Sequence, residues 1–132
     1  AGYLAVARLV ELGLDTGTKN LGDRPRPTVP HPLAVATDTS FPSGHTAGTA
    51  VLCVSVLLLV HAAGPRPVRT LPIAIAAVVI ASVAASRVLL GVHYPTDVLG
   101  GALLGTATAF ALVPLLAVGL RRGPTSARRA SR

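Results

Sequence analysis

The sequence predicts an all-α, membrane-embedded helical bundle, and three observations predict it. The first is the segregation of charge from apolar residues. The chain has a formal charge of +7 but is 51% hydrophobic, with a mean hydropathy of +0.62. Its charges gather in short segments instead of alternating with apolar residues, as they do in membrane proteins. The second is a set of three apolar stretches, at residues 46–63, 70–86 and 98–120. Each is close to the roughly 20 residues that a helix needs to cross hydrocarbon. The third is that none of them has the polar face of a surface helix, so a buried three-helix soluble core fits poorly.

Taken in order, residues 3–14 predict a helix with Arg8 and Glu11 three apart on one face, within reach of an ion pair. Its polarity suits either the end of an earlier membrane helix, the preferred reading, or an interfacial amphipathic segment. Ala1 already falls inside this pattern, so the bundle is expected to be truncated at its amino terminus, with three full transmembrane helices and a partial one. Residues 15–42 are dense in Pro, Gly, Asp and Thr, and their prolines forbid a continuous helix. A second break at residues 64–69 separates the first two apolar stretches. Only Arg87 separates residues 70–86 from the apolar run 88–92. In the third stretch, Gly100, Gly101 and Gly105 predict close helix packing. The core is assigned to residues 1–120. Residues 121–132 hold five arginines and no acid, and are expected to form a disordered basic tail on the cytoplasmic side.

Orientation follows from the positive-inside rule. Arg66 and Arg69 in the second break, together with the tail arginines, read as cytoplasmic. Three crossings then bring residues 15–42 and 86–97 to the opposite, non-cytoplasmic face. Lys19, Arg24 and Arg26 break the rule there, which suggests that they serve chemistry and not topology. Nucleic acid is an unsuitable partner, because an aromatic content of 3% offers almost no base-stacking surface. Membrane lipids are the expected surroundings. Cys53 lies alone in an apolar run and reads as a packing residue.

Three clusters fall at the non-cytoplasmic helix ends: Lys19 with Arg26-Pro27; Pro42-Ser43-Gly44-His45; and Ser86-Arg87, followed by His93 and Asp97. A phosphoryl group needs several cations and backbone donors around its oxygens. Lys19, Arg26 and Arg87 supply charge, the arginines with a fork that matches phosphate. Ser43 is placed as an N-cap, with the N–H groups of Gly44 and His45 at an anion-binding helix start. His93 and Asp97 stand at i and i+4, so the carboxylate could hold one ring nitrogen and leave the other to attack. Pro95 suits the first turn of the last helix. His45, from another helix, could protonate a leaving oxygen. These residues alone do not decide which histidine attacks.

The ordered pattern Lys19-x6-Arg26-Pro27, Pro42-Ser43-Gly44-His45, Ser86-Arg87-x5-His93-x3-Asp97 resembles the signature of the type 2 phosphatidic acid phosphatase superfamily. The match runs from Lys19 to about Gly105, with every signature position filled. The resemblance implies an integral-membrane phosphatase acting on a lipid phosphate or isoprenyl diphosphate, with no metal or other cofactor. It implies that His93 is the nucleophile of a phosphohistidine intermediate, supported by Asp97. His45 would be the general acid and then the base, and Lys19, Arg26, Ser43, Gly44 and Arg87 would bind phosphate. Integral relatives usually have six membrane helices, so this chain resembles part of such a core. Two other readings are a membrane scaffold whose site is a relic and a vanadate-dependent haloperoxidase, the latter disfavoured by the apolar helices. His31 reads as an exposed loop residue and His61 as a helix-terminal one. Arg24 is evenly balanced between phosphate binding and a flanking role. Phe41 and Tyr94 are equally suited to anchoring at the interface and to touching a headgroup.

Overall fold

The structure, a computed structural model, describes residues 2–30, 34, 36–62 and 70–121. The expectations for His31, for Arg66 and Arg69, and for the tail beyond residue 121 lie outside these residues. The described residues form five helices and no strand: α1 (Gly2–Leu21), α2 (Gly44–Ala62), α3 (Thr70–Leu89), α4 (Pro95–Ala111) and α5 (Val113–Arg121). Three spans are long and apolar enough to cross a membrane: Gly44–Ala62, Thr70–Leu89 and Pro95–Leu115. Each matches one of the predicted apolar stretches.

The α2–α4 seam is the centre of the bundle. A Cβ placed on Gly105 would lie 2.2 Å from the Ala47 carbonyl oxygen, and one on Gly101 2.4 Å from that of Ser43. The two backbones touch where these side chains are missing, which is the small-residue packing that lipid-embedded helices use. Ala47, Ala50 and Val51 of α2 and Ala109 of α4 are fully buried along the seam. Gly100 makes room for the ring of Phe41, whose edge lies 2.4 Å from where its Cβ would be.

α1 departs from expectation at its C-terminus, continuing to Leu21 instead of giving way to loop after Leu14. Asp15 and Lys19 thereby occupy successive turns, with Lys19 Nζ 3.3 Å from Asp15 Oδ2, and the Thr18 hydroxyl donates back to the Leu14 carbonyl. Gly13 and Gly17 have open space around them, so they cost only their intrinsic helix penalty. The buried face of α1 is Ala7, Glu11 and Asp15, and the expected Arg8–Glu11 ion pair is present. The absent side chain of Gly48 leaves room for the Arg8 guanidinium, 3.2 Å from the Cβ position.

α3 contrasts with its neighbours, since Ala76 is its one buried residue. It ends in a Schellman turn, in which Val92 N–H donates to the Arg87 carbonyl, Gly91 N–H donates to that of Val88, and Gly91 has φ +70°. The last apolar stretch starts earlier than its hydropathy suggests, at Pro95, and breaks at Leu112. Pro114 explains the break, because it lacks an N–H and its ring crowds the carbonyl four residues back.

Candidate active site

The C-terminal ends of α1 and α3 and the N-terminal ends of α2 and α4 meet at one end of the bundle, as three crossings require. A cleft of about 200 Å³ lies between them, lined by Lys19, Arg26, Asp38, Gly44, His45, Arg87 and His93 with Ala34, Ala36 and Val92. Six of the eight predicted site residues therefore share one cleft, although they come from segments more than seventy residues apart.

His93 is buried at the base of the turn after α3. Its Nδ1 is 2.8 Å from the Ser40 carbonyl oxygen, and this bond defines the tautomer: Nδ1 carries the proton and donates it. The Nε2 atom lies 3.3 Å from an Arg26 guanidinium nitrogen. Burial lowers the pKa of the ring below its usual 6.5, and the neighbouring Arg26 charge lowers it further. Arg26 is itself fixed by donating 2.7 Å to the Val92 carbonyl and, through Nε, 2.9 Å to the Asp38 carbonyl.

Asp97 holds His93 less directly than the i, i+4 spacing suggested. Its Oδ2 is 3.6 Å from Nδ1, beyond hydrogen-bond distance. The carboxylate, fully buried, instead accepts from the Ser40 hydroxyl at 2.5 Å, from Tyr94 N–H at 2.8 Å and from Arg24 at 2.8 Å. The Asp97 carbonyl also accepts from Ser43 N–H at 3.0 Å. Asp97 therefore fixes Ser40, and the Ser40 carbonyl fixes the ring.

Ser43 lies behind the wall of the cleft, fully buried, and its hydroxyl accepts from Thr46 at 3.1 Å. Arg24, previously balanced between two readings, pairs with Asp97 and stacks 4.5 Å over the Tyr94 ring. That contact also accounts for Tyr94. Gly44 lets the Asp15 carboxylate approach the start of α2, with Oδ2 2.9 Å from where a Cβ would stand. Arg87, at the far wall, has no carboxylate partner among the described residues and donates to its neighbour Ser86 at 3.3 Å.

Sequence reasoning missed Ser40, whose contribution is a backbone carbonyl, and Asp38, whose carboxylate bridges Lys19 at 2.7 Å and Arg26 at 2.5 Å. Asp38 is the acid nearest in sequence before the Pro42–His45 cluster. Nothing in that position announced that it would face the two cations.

A helical bundle with three spans long and apolar enough to cross a membrane, and a cationic, histidine-bearing cleft at one end, has the build of an integral membrane protein with a charged site at the ends of its helices. The chain belongs to the PAP2 superfamily, whose family model matches residues 1–118. It is 41% identical over 109 residues to a Mycobacterium tuberculosis decaprenylphosphoryl-5-phosphoribose phosphatase, covering 79% of this chain and 54% of that one. It is 38% identical over 81 residues to Bacillus subtilis phosphatidylglycerophosphatase B, covering 60% of this chain and 40% of that one. A solved transmembrane PAP2-type phosphatidylglycerolphosphate phosphatase from B. subtilis superposes with a TM-score of 0.75 at 31% identity, over 85% of this chain and 56% of that chain. The chain thus spans about half the length of the relatives it matches.

Proposed function

We propose that this chain is the catalytic core of a metal-independent lipid phosphate phosphatase that works through a phosphohistidine at His93. One observation carries the reading. The Nδ1–H of His93 is tied to the Ser40 carbonyl, which leaves the Nε2 lone pair beside Arg26 in a cleft that also holds Lys19, Arg87 and His45. A neutral imidazole whose lone-pair nitrogen meets only a long 3.3 Å contact from Arg26 becomes a nucleophile once that guanidinium turns to the phosphoryl group, whose charge the cations offset.

In the proposed cycle, His93 Nε2 attacks phosphorus and the bond to the lipid oxygen breaks. His45 donates a proton to that oxygen. Water then attacks the phosphohistidine, giving up a proton to His45, and the P–N bond breaks to release inorganic phosphate and restore His93. Lys19, Arg26, Arg87 and the N–H groups at the start of α2 hold the phosphoryl oxygens through both steps. Ser43 would join them only by turning its hydroxyl from Thr46. Asp97 supports His93 through Ser40.

The names of the relatives support a phosphorylated lipid as substrate, and an isoprenyl diphosphate remains within the chemistry the cleft allows. The cleft is assigned to the non-cytoplasmic face and the tail to the cytoplasmic one, on the charge distribution in the sequence. The test is phosphate release in detergent with EDTA, from glycerolipid phosphates and from isoprenyl phosphates and diphosphates. Release should survive EDTA, disappear in His93→Ala and fall roughly 10²–10⁴-fold in His45→Ala. Near wild-type release from His93→Ala would overturn the mechanism.

A further inference from the structure

The cations that a phosphoryl group needs already share an anion supplied by the chain. The Asp38 carboxylate spans two of them, with Oδ2 2.7 Å from Lys19 Nζ and Oδ1 2.5 Å from an Arg26 guanidinium nitrogen. Two oxygens on two cations is the arrangement a phosphate would itself adopt there. The position is set by backbone on both sides. Arg26 Nε donates 2.9 Å to the Asp38 carbonyl, the Thr39 hydroxyl donates 3.3 Å to the Lys19 carbonyl, and Ser40 N–H donates 2.9 Å to that of Arg24. The side chain itself is half exposed on the open side of the cleft, so it can swing out while this backbone stays in place.

We propose that Asp38 is a built-in competitor for the phosphate site, a residue that sets how strongly phosphate is held and therefore how readily it leaves. This rests on the reading of the cleft as a phosphate site. Three cations converging on one product anion would retain it. A carboxylate that re-pairs with two of them as phosphate departs lowers the cost of that departure, because Arg26 is never left without a carboxylate and Lys19 regains a second, closer one beside Asp15. Arg87, with no acidic partner among the described residues, remains available to bind phosphate throughout. The hydrogen bond from Lys19, set against some desolvation and joined by the bonds from Arg26, holds the Asp38 pKa at about 2. Its competition is thus present above the usual carboxylate value of 3.8 and would be lost only as pH falls through about 2. Changing pH in any working range therefore cannot remove it, and a substitution is required.

The experiment compares the wild-type protein with Asp38→Asn, which keeps the shape and the backbone contacts but removes the charge. Inorganic phosphate is the probe, read both as direct binding by calorimetry and as product inhibition of lipid hydrolysis. Phosphate should bind about 10-fold more tightly to Asp38→Asn, the effect of freeing two half-exposed ion pairs, with product inhibition strengthened to match. Adding Lys19→Ala to Asp38→Asn should remove most of that gain. An unchanged phosphate affinity in a variant that melts like wild type, while wild type hydrolyses lipid, overturns the competition and leaves the phosphatase reading standing. Weaker binding in Asp38→Asn also overturns it, and makes Asp38 a positioning residue for Lys19 and Arg26. If wild type neither binds phosphate nor releases it from any lipid, the reading of the cleft fails and the inference falls with it.

Discussion

Burial and the Arg26 charge both disfavour a proton on the second nitrogen of His93, while the Ser40 carbonyl keeps the first one protonated. The ring is therefore neutral at a pH where a free histidine would be partly charged. Its folded pKa lies below 6.5, so activity should rise with pH along an acid limb of kcat/KM centred below that value. The same displacement has a stability consequence of definite sign. The neutral ring contributes stability that is complete above 6.5 and is lost as pH falls through the lower folded pKa. An acid limb at or above the ordinary histidine value would contradict this. Asp97 acts on the same ring at one remove. Asp97→Asn cannot serve Arg24, Ser40 and Tyr94 as the carboxylate does, so it should cost about 1–3 kcal/mol and most of the turnover. Ser40→Ala should cost less in a parallel assay, because it removes one of the bonds to the Asp97 carboxylate and leaves those from Arg24 and Tyr94 N–H, as well as the carbonyl that holds His93.

Among the elements, the α2–α4 seam tolerates least. Ala at Gly105 would press on the Ala47 carbonyl and force the helices apart, at about 1–3 kcal/mol by overpacking. Ala at Gly101 meets the Ser43 carbonyl and so also displaces the start of α2, where Gly44 and His45 sit. Melting in detergent should register both substitutions, while kcat/KM should suffer more from Gly101→Ala. The seam was readable in the sequence because Gly101 and Gly105 recur at helical spacing in an apolar run. The length of α1 was not. Its continuation through two glycines depends on Asp15 and Lys19 pairing along the helix and on Asp15 packing against the start of α2, a contact made only after folding. The break at Leu112 was hidden for the opposite reason, since hydropathy averages over Pro114 without registering its missing donor.

At the scale of the whole molecule, the order of chemistry-bearing clusters was legible and their wiring was not. Helix ends separated by two crossings, out along α2 and back along α3, must meet at one face, so Lys19, Arg26, Gly44, His45, Arg87 and His93 could be grouped from the sequence. The links from Arg24 and Ser40 to Asp97 join loop residues to positions 73 and 57 residues away, and no periodicity encodes such contacts. The proposed orientation predicts that Thr37→Cys, in a Cys53→Ser background, is labelled by an impermeant thiol reagent from the non-cytoplasmic side. Labelling from the cytoplasm alone would reverse the topology.

The one-sided burial of α3 makes the walls of the cleft unequal. His93 is moored through Ser40 to the tightly packed α1–α2–α4 trio, whereas Arg87 is borne by a helix with a single buried residue. Regions with few buried contacts open first. Under heat or a harsh detergent, the Arg87 wall yields while the nucleophile is still in place. Inactivation should then begin as a rising KM with a partial fall in kcat, as the Arg87 contact to the phosphoryl group weakens, and turnover should vanish only when the glycine seam parts.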